Sequence, residues 1–358
     1  MRIGIVTGGG DCPGLNAVIR AVAKAATKRG WETLGIIGGY EGLLAPQNYR
    51  VLDYKALDGL LVRGGTILRT ANRGRFSAKT GHGETRQLPR ELLEDTKRGM
   101  EQLGIEALVS VGGDGSLTIA HQMHKYGIPV VGVPKTIDND LAATTTTFGF
   151  DSAVACATDA LDRLHTTAES HNRVLVLEVM GRYAGWIAIY AGVAGGADVI
   201  LIPEIPFRYE RICEAIAARE KLGKHFTLVI VAEGAKPLGG DFVTADAQEQ
   251  NREARLGGIG AVVGAEIEER TGKESRVVVL GHLQRGGSPT YMDRALCTLF
   301  GAEAVELIAE GKFGRMVAHT GVTVDSVPLA DAIGHLRTVP LDGAYVQAAR
   351  ALGISLGD

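Results

Sequence analysis

The sequence predicts an α/β protein of two domains, each built on a parallel sheet covered by helices on both faces. Eight short β-branched runs alternate with helical stretches, which is the pattern of strands buried on both faces. Glycines follow many of these runs, as tight βα turns require. The chain has 358 residues, 45% of them hydrophobic, which is more than one ordinary core uses and enough for two.

In order, strands are expected at 3–7, 33–37, 107–111, 130–133, 174–179, 199–202, 228–232 and 277–280. Apolar periodicity places helices at 15–29, 91–103, 116–126, 151–170, 212–222, 259–271 and 295–310. No flexible linker or fixed-period repeat interrupts them, so the domain boundary is expected in ordered chain near Phe148-Gly149-Phe150. Residues 69–89 lack an apolar period and carry Arg69, Arg73, Arg75 and Arg86. They read either as a solvated connection or as a basic flap over a phosphate. A second polar loop, about 236–251, gives no chemical signal.

Lys plus Arg total 38 against 41 Asp plus Glu, and the net charge of −3 gives no reason to expect nucleic acid or an anionic membrane as partner. No apolar run approaches the roughly 18 residues of a membrane span. Cys12, Cys156, Cys213 and Cys297 are widely spaced and read as reduced thiols, so a cytoplasmic protein is expected.

The chemistry concentrates at strand ends, where open α/β sheets place their sites. Thr7-Gly-Gly-Gly-Asp-Cys-Pro-Gly14 joins a strand to a helix, and backbone amides there bind an anion without side chains. It is also a plain tight turn, since it lacks the Lys-Ser/Thr of a P-loop. Gly112-Gly-Asp-Gly-Ser116 sets Asp114 where hydrated Mg²⁺ would meet a polyphosphate, or where an Asp caps the next helix. In Pro134-Lys-Thr-Ile-Asp-Asn-Asp140, an extended segment would point Thr136, Asp138 and Asp140 to one side. Asp138 is then placed to accept an alcohol proton; a loop of Asx turns is the alternative. Met180-Gly-Arg-Tyr-Ala-Gly185 and Gly281-His-Leu-Gln-Arg-Gly-Gly-Ser288 put Arg182, His282 and Arg285 after further strands, where a guanidinium fork matches phosphate oxygens.

These segments, with Gly9-Gly-Asp-Cys-Pro-Gly-Leu-Asn-Ala-Val-Ile-Arg20 and Leu280-Gly-His-Leu-Gln-Arg-Gly-Gly-Ser-Pro289, resemble the motifs of the bacterial-type 6-phosphofructokinase family in order and along nearly the whole chain. The resemblance implies two doubly wound, Rossmann-like α/β/α domains. The donor domain would be 1–148 plus about 260–312, and the sugar-phosphate domain 149–259 plus about 313–358. It implies phosphoryl transfer from ATP to the 1-hydroxyl of fructose 6-phosphate, with Mg²⁺ as cofactor. Asp138 would be the base, Asp114 the metal ligand, and Thr136 and Arg182 further catalytic residues. Gly10, Arg73, Gly74, Gly113, Gly115, Ser116 and Lys135 would face the donor. Ile137, Met180, Gly181, Glu233, His282, Leu283, Gln284 and Arg285 would hold the sugar phosphate. Arg173 and Arg276 would come from a neighbouring subunit, so a homo-oligomer, usually a tetramer, is implied.

Two departures bear on the donor. Family members that use pyrophosphate pair Lys at position 135 with Asp at 115, whereas this chain has Lys135 and Gly115, like the mixed-substrate subgroup. Gly115 favours ATP, because a carboxylate there would repel the α-phosphate; a pyrophosphate-dependent enzyme is the alternative. The arginine that usually reaches the donor aligns with Asn72, which makes Arg73 the candidate. His165, His225 and Lys55 replace residues of the family's effector site, so the usual allosteric control is not expected. A non-catalytic sensor of nucleotide or sugar phosphate is the remote alternative, and Asp114, Asp138, Arg182 and Arg285 argue against it.

Overall fold

The computed structural model describes residues 1–71, 74–77, 85–244 and 256–358. In chain order they form β1 (Arg2–Thr7), α1 (Leu15–Lys28), β2 (Glu32–Ile36), β3 (Tyr49–Val51), α2 (Arg90–Leu103), β4 (Ala107–Gly112), α3 (Asp114–Lys125) and β5 (Val130–Pro134). There follow α4 (Phe150–His171), β6 (Val174–Val179), α5 (Trp186–Ala194), β7 (Val199–Leu201), α6 (Tyr209–Lys221) and β8 (Thr227–Ala232). The chain ends with α7 (Ile259–Thr271), β9 (Ser275–Val279), α8 (Tyr291–Ala309), β10 (Arg315–His319), β11 (Val324–Pro328), α9 (Leu329–Ala332) and α10 (Ala344–Ala351).

Unit 1 comprises Met1–Ser152 and Arg285–Leu336. Its seven strands run in the order β11-β10-β5-β4-β1-β2-β3, and only the edge strands β3 and β11 are antiparallel to their neighbours. The central strands are buried along their length, which is why they read as continuous apolar runs rather than alternating ones. Val6, Leu108, Leu117, Met123 and Val130 lie in its core. α1 packs closely on α8 because Gly301 has no side chain: a β-carbon there would stand 3.0 Å from the Val18 carbonyl.

Unit 2 comprises Ala153–Gln284 and Arg337–Asp358, around a parallel sheet in the order β7-β8-β6-β9. Val176, Phe207, Ile212, Val229 and Val263 lie in its core. Glu178, buried within β6, accepts the amides of Gly258 (3.1 Å) and Gly260 (2.8 Å) at the start of α7. A carboxylate is favourable there, where helix N–H groups lack partners. The last segment docks on α5: Trp186 Nε1 donates to the Arg337 carbonyl at 2.9 Å, and the Tyr190 and Tyr345 rings stack at 3.8 Å.

The second segment of each unit differs from expectation. α7 belongs to unit 2 and β10–β11 to unit 1, whereas 260–312 and 313–358 were the expected pieces. An alternating β/α pattern shows that strands exist but not which sheet each joins. Helix α5 escaped the periodicity reading because Trp-Ile-Ala-Ile-Tyr-Ala-Gly-Val-Ala is apolar on nearly every face. α8 begins at Tyr291 because Thr290 caps it, accepting the Asp293 amide at 3.3 Å. Among the described residues, no helix is long and apolar enough to cross a membrane.

Candidate active site

Side-chain hydrogen bonds tie the glycine turn after β1 and its flanks to other segments of unit 1. Thr7 Oγ1 donates to the Arg69 carbonyl at 2.8 Å, and Thr70 Oγ1 donates to the Gly9 carbonyl at 2.5 Å. Asn16 donates to the Arg63 and Gly64 carbonyls, each at 3.1 Å, and accepts the Ile67 amide at 2.9 Å. Lys135, only 4% exposed, donates from Nζ to the Gly10 carbonyl. Burial lowers its pKa from the ordinary lysine range. Arg285 donates to the Asp11 carbonyl at 3.2 Å. The turn therefore carries two basic side chains, although the motif itself has none. Burial pushes the adjacent Cys12 thiol up to about 12, so it stays protonated at neutral pH.

At the end of β4, Gly113 precedes α3 and Asp114 is the first helical residue. A helix N-terminus suits phosphate oxygens. Asp114 Oδ1 accepts the Gly334 amide at 3.2 Å. Ser116 lies under the glycine turn, since a β-carbon on Gly8 would stand 2.5 Å from its Oγ. Tyr40 Oη fixes this corner by donating to the Ser116 carbonyl at 2.8 Å. A β-carbon on Gly115 would meet no heavy atom within 4 Å, so the space expected there is present. Among the described residues, no group of three or more His, Cys, Asp or Glu could hold a metal ion. Asp114 alone fits Mg²⁺, which takes one or two carboxylates and otherwise water and substrate phosphate oxygens.

After β5 the chain turns rather than running extended, which corrects the expected alternation of side chains. Asn139 has φ 52°, and Thr136 Oγ1 accepts the Asp138 amide (3.2 Å) while donating to Asp140 Oδ1 (3.0 Å). Thr136, Asp138 and Asp140 are thus brought together by hydrogen bonding in a turn. Ile137 is fully buried, which leaves its backbone, not its side chain, for any substrate contact.

In unit 2, the turn after β6 is fastened on two sides. The Met180 amide donates to Gln284 Oε1 at 2.8 Å, and the Gly234 amide donates to the Gly181 carbonyl at 3.1 Å. Gln284, read as a substrate contact, is 1% exposed and holds the Met180 turn instead. His282 and Leu283 are exposed, and Arg182 lies 5.2 Å from the Tyr183 ring centre. Glu233 follows β8, with its amide bonded to the Val179 carbonyl at 2.9 Å. Glu204, which the sequence did not single out, accepts the amides of Gly185 (3.0 Å) and Val339 (2.8 Å). Burial raises its pKa above the ordinary carboxylate range. Arg173 and Arg276 both pair with Glu274, the former at 2.6 Å. Arg73 lies outside the described residues. The neighbouring Gly74–Arg75 is anchored, because Glu41 accepts the Arg75 amide at 2.7 Å and its guanidinium at 2.9 Å.

Comparison with known proteins bears on this arrangement. The family model described as Phosphofructokinase matches residues 2–308. The "ATP-dependent 6-phosphofructokinase" of Chloroflexus aurantiacus is 55% identical over 357 residues, covering 100% of this chain and 98% of that protein. The "Pyrophosphate--fructose 6-phosphate 1-phosphotransferase" of Amycolatopsis methanolica is 49% identical over 343 residues, covering 95% and 96%. The crystal structure of a pyrophosphate-dependent phosphofructokinase from Nitrosospira multiformis superposes with a TM-score of 0.83, at 21% identity and covering 100% and 92%, and so shares the fold. Family match, identity and fold agree: the chain belongs to the phosphofructokinase family.

Proposed function

We propose that the protein transfers the γ-phosphoryl group of ATP to the 1-hydroxyl of fructose 6-phosphate, giving fructose 1,6-bisphosphate and ADP. The observation that carries ATP as donor is the open space at Gly115, beside Asp114 and at the N-terminus of α3. The name of the 55% identical relative supports the same reading.

Asp138 takes the proton of the 1-hydroxyl as its oxygen bonds to the γ-phosphorus and the bond to the ADP oxygen breaks. Thr136 orients that carboxylate's turn. Gly10, Gly113, Gly115, Ser116 and the Arg73–Gly74 segment bind the donor. Bound Mg²⁺ supplies charge neutralisation on the phosphates, and Asp114 would hold it. Arg182 stabilises charge on the transferring group. Met180, Gly181, Glu233, His282 and Arg285 bind the sugar phosphate.

Arg173 and Arg276 act on a neighbouring copy in a homo-oligomer, a tetramer. Both guanidiniums pair with the carboxylate of Glu274, which sets them beside one another. The four free thiols suit a reducing cytoplasm.

Pyrophosphate is the second reading, favoured by Lys135 on the donor turn and by the name of the Amycolatopsis relative. Initial rates with fructose 6-phosphate, Mg²⁺ and either ATP or pyrophosphate decide between them. A higher kcat/KM with pyrophosphate would overturn the donor assignment, and no turnover with either would overturn the activity.

A further inference from the structure

Residues 136–140 carry the proposed base, and besides the bonds that Thr136 makes within the turn, a threonine further along the chain grips it from outside. Thr147, 1% exposed, donates from Oγ1 to the Thr136 carbonyl at 2.7 Å. Its amide donates to Asn139 Oδ1 at 3.1 Å, and its Oγ1 stands 3.4 Å from the same oxygen. One residue thereby grips the turn immediately before and immediately after Ile137 and Asp138. Asn139 is itself 1% exposed and lies at φ 52°, a conformation that an Asn side chain tolerates when its amide is anchored.

The grip is anchored in turn. Lys135 bridges to Phe148, directly after Thr147. Gly149 donates its amide to Asp293 Oδ1 at 3.0 Å, while Ser152 donates its amide (2.9 Å) and hydroxyl (2.6 Å) to Asp293 Oδ2. Thr290, which caps α8, donates its amide to Ser152 Oγ at 3.1 Å. The segment 147–152 is therefore tied at one end to the Asp138 turn and at the other to the first turn of α8. Each tie is a buried or part-buried hydrogen bond that water does not replace without a structural shift.

We propose that Thr147 is a positioning residue for Asp138, setting the carboxylate by clamping Thr136 and Asn139. The inference rests on Asp138 being the base. Displacement of a reacting group by about 1 Å costs about 100-fold in rate, so the clamp is expected to show in kcat rather than in substrate affinity.

The test uses the full chain with saturating ATP, fructose 6-phosphate and Mg²⁺, and thermal unfolding confirms that each variant is folded. Thr147→Val keeps the shape and removes the hydroxyl; kcat should fall about 10- to 100-fold with both KM values within about threefold. Thr147→Ser should restore kcat to within about threefold of the parent. In an Asp138→Asn background, Thr147→Val should add less than about threefold, because the group it positions has gone. Asn139→Gly, which keeps access to positive φ but removes the acceptor, is read in the same way if Thr147→Val does not fold. Parental kcat in the folded variant, or an undiminished further loss in the Asp138→Asn background, overturns the inference. Parental kcat in Asp138→Asn alone overturns the base assignment instead.

Discussion

A β-carbon on Gly234 would overlap the carbonyl of Arg182 and stand 2.9 Å from that of Gly181. The turn after β8 thus lies directly on the turn that bears Arg182, the arginine proposed to stabilise the transferring phosphoryl group. Both sides of the conflict are backbone, so Gly234→Ala must move one turn or the other. The expected result is a loss of about 10- to 100-fold in kcat/KM for fructose 6-phosphate, with the KM for ATP changed much less. A folded variant with parental kcat/KM would show that the two turns are not coupled.

Replacing Asp138 by Asn keeps the size of the side chain and its place in the Thr136 turn while removing the proposed proton acceptor. kcat should fall by about 10²–10⁴ with little change in either KM. Steady-state kinetics with ATP and fructose 6-phosphate measure this directly.

The donor preference rests on space at position 115 and on charge at position 135. A carboxylate introduced by Gly115→Asp would meet the α-phosphate, and two like charges at 4 Å repel by about 4 kcal/mol at an effective dielectric near 20. ATP use should be abolished. Lys135→Gly should leave ATP use largely intact, because the open space at Gly115 that admits the nucleotide is unchanged. Parallel assays of both variants with ATP would contradict the argument if Gly115→Asp kept its activity.

Asp293 makes stability depend on pH. Burial raises its carboxyl to about 6, above the value of about 3.9 in an unfolded chain. The native state therefore holds the proton more tightly, and the stabilisation from this group is complete below about pH 4 and lost as pH rises through about 6. At about 1.4 kcal/mol per pKa unit, the change is about 3 kcal/mol. Asp293→Asn removes that titration. Denaturant unfolding at pH 4 and pH 7 should show the parent losing about 3 kcal/mol relative to the variant, and a constant difference would contradict the assignment.

The strand-end motifs were legible in the sequence because each packs its chemistry into a few consecutive residues. Asp114, Thr136, Asp138 and Arg182 stand out beside glycines and after apolar runs, and no tertiary knowledge is needed to pick them. Gln284 and Ile137 also stood in those motifs, but sequence position says nothing about which way a side chain faces, and both are buried. Thr147, Asp293, Glu204 and Glu274 act through partners elsewhere in the chain, such as Thr136, Gly149 and Val339. Local spacing cannot signal a partner of that kind. Assigning β10 and β11 to the first sheet failed for the same reason, since register across a sheet depends on strands far apart in sequence.

The pairing of β5 with β10, Val131 beside Arg315 and Gly132 beside Met316, has a consequence during synthesis. While the ribosome is still making residues 153–284, β5 is an outer strand of an incomplete sheet, with an open row of backbone donors and acceptors along Val-Val-Gly-Val-Pro. An apolar edge of this kind recruits other chains. Chains truncated before residue 315 are therefore expected to self-associate more readily than the full chain, because the partner that covers this edge is more than 180 residues away in sequence.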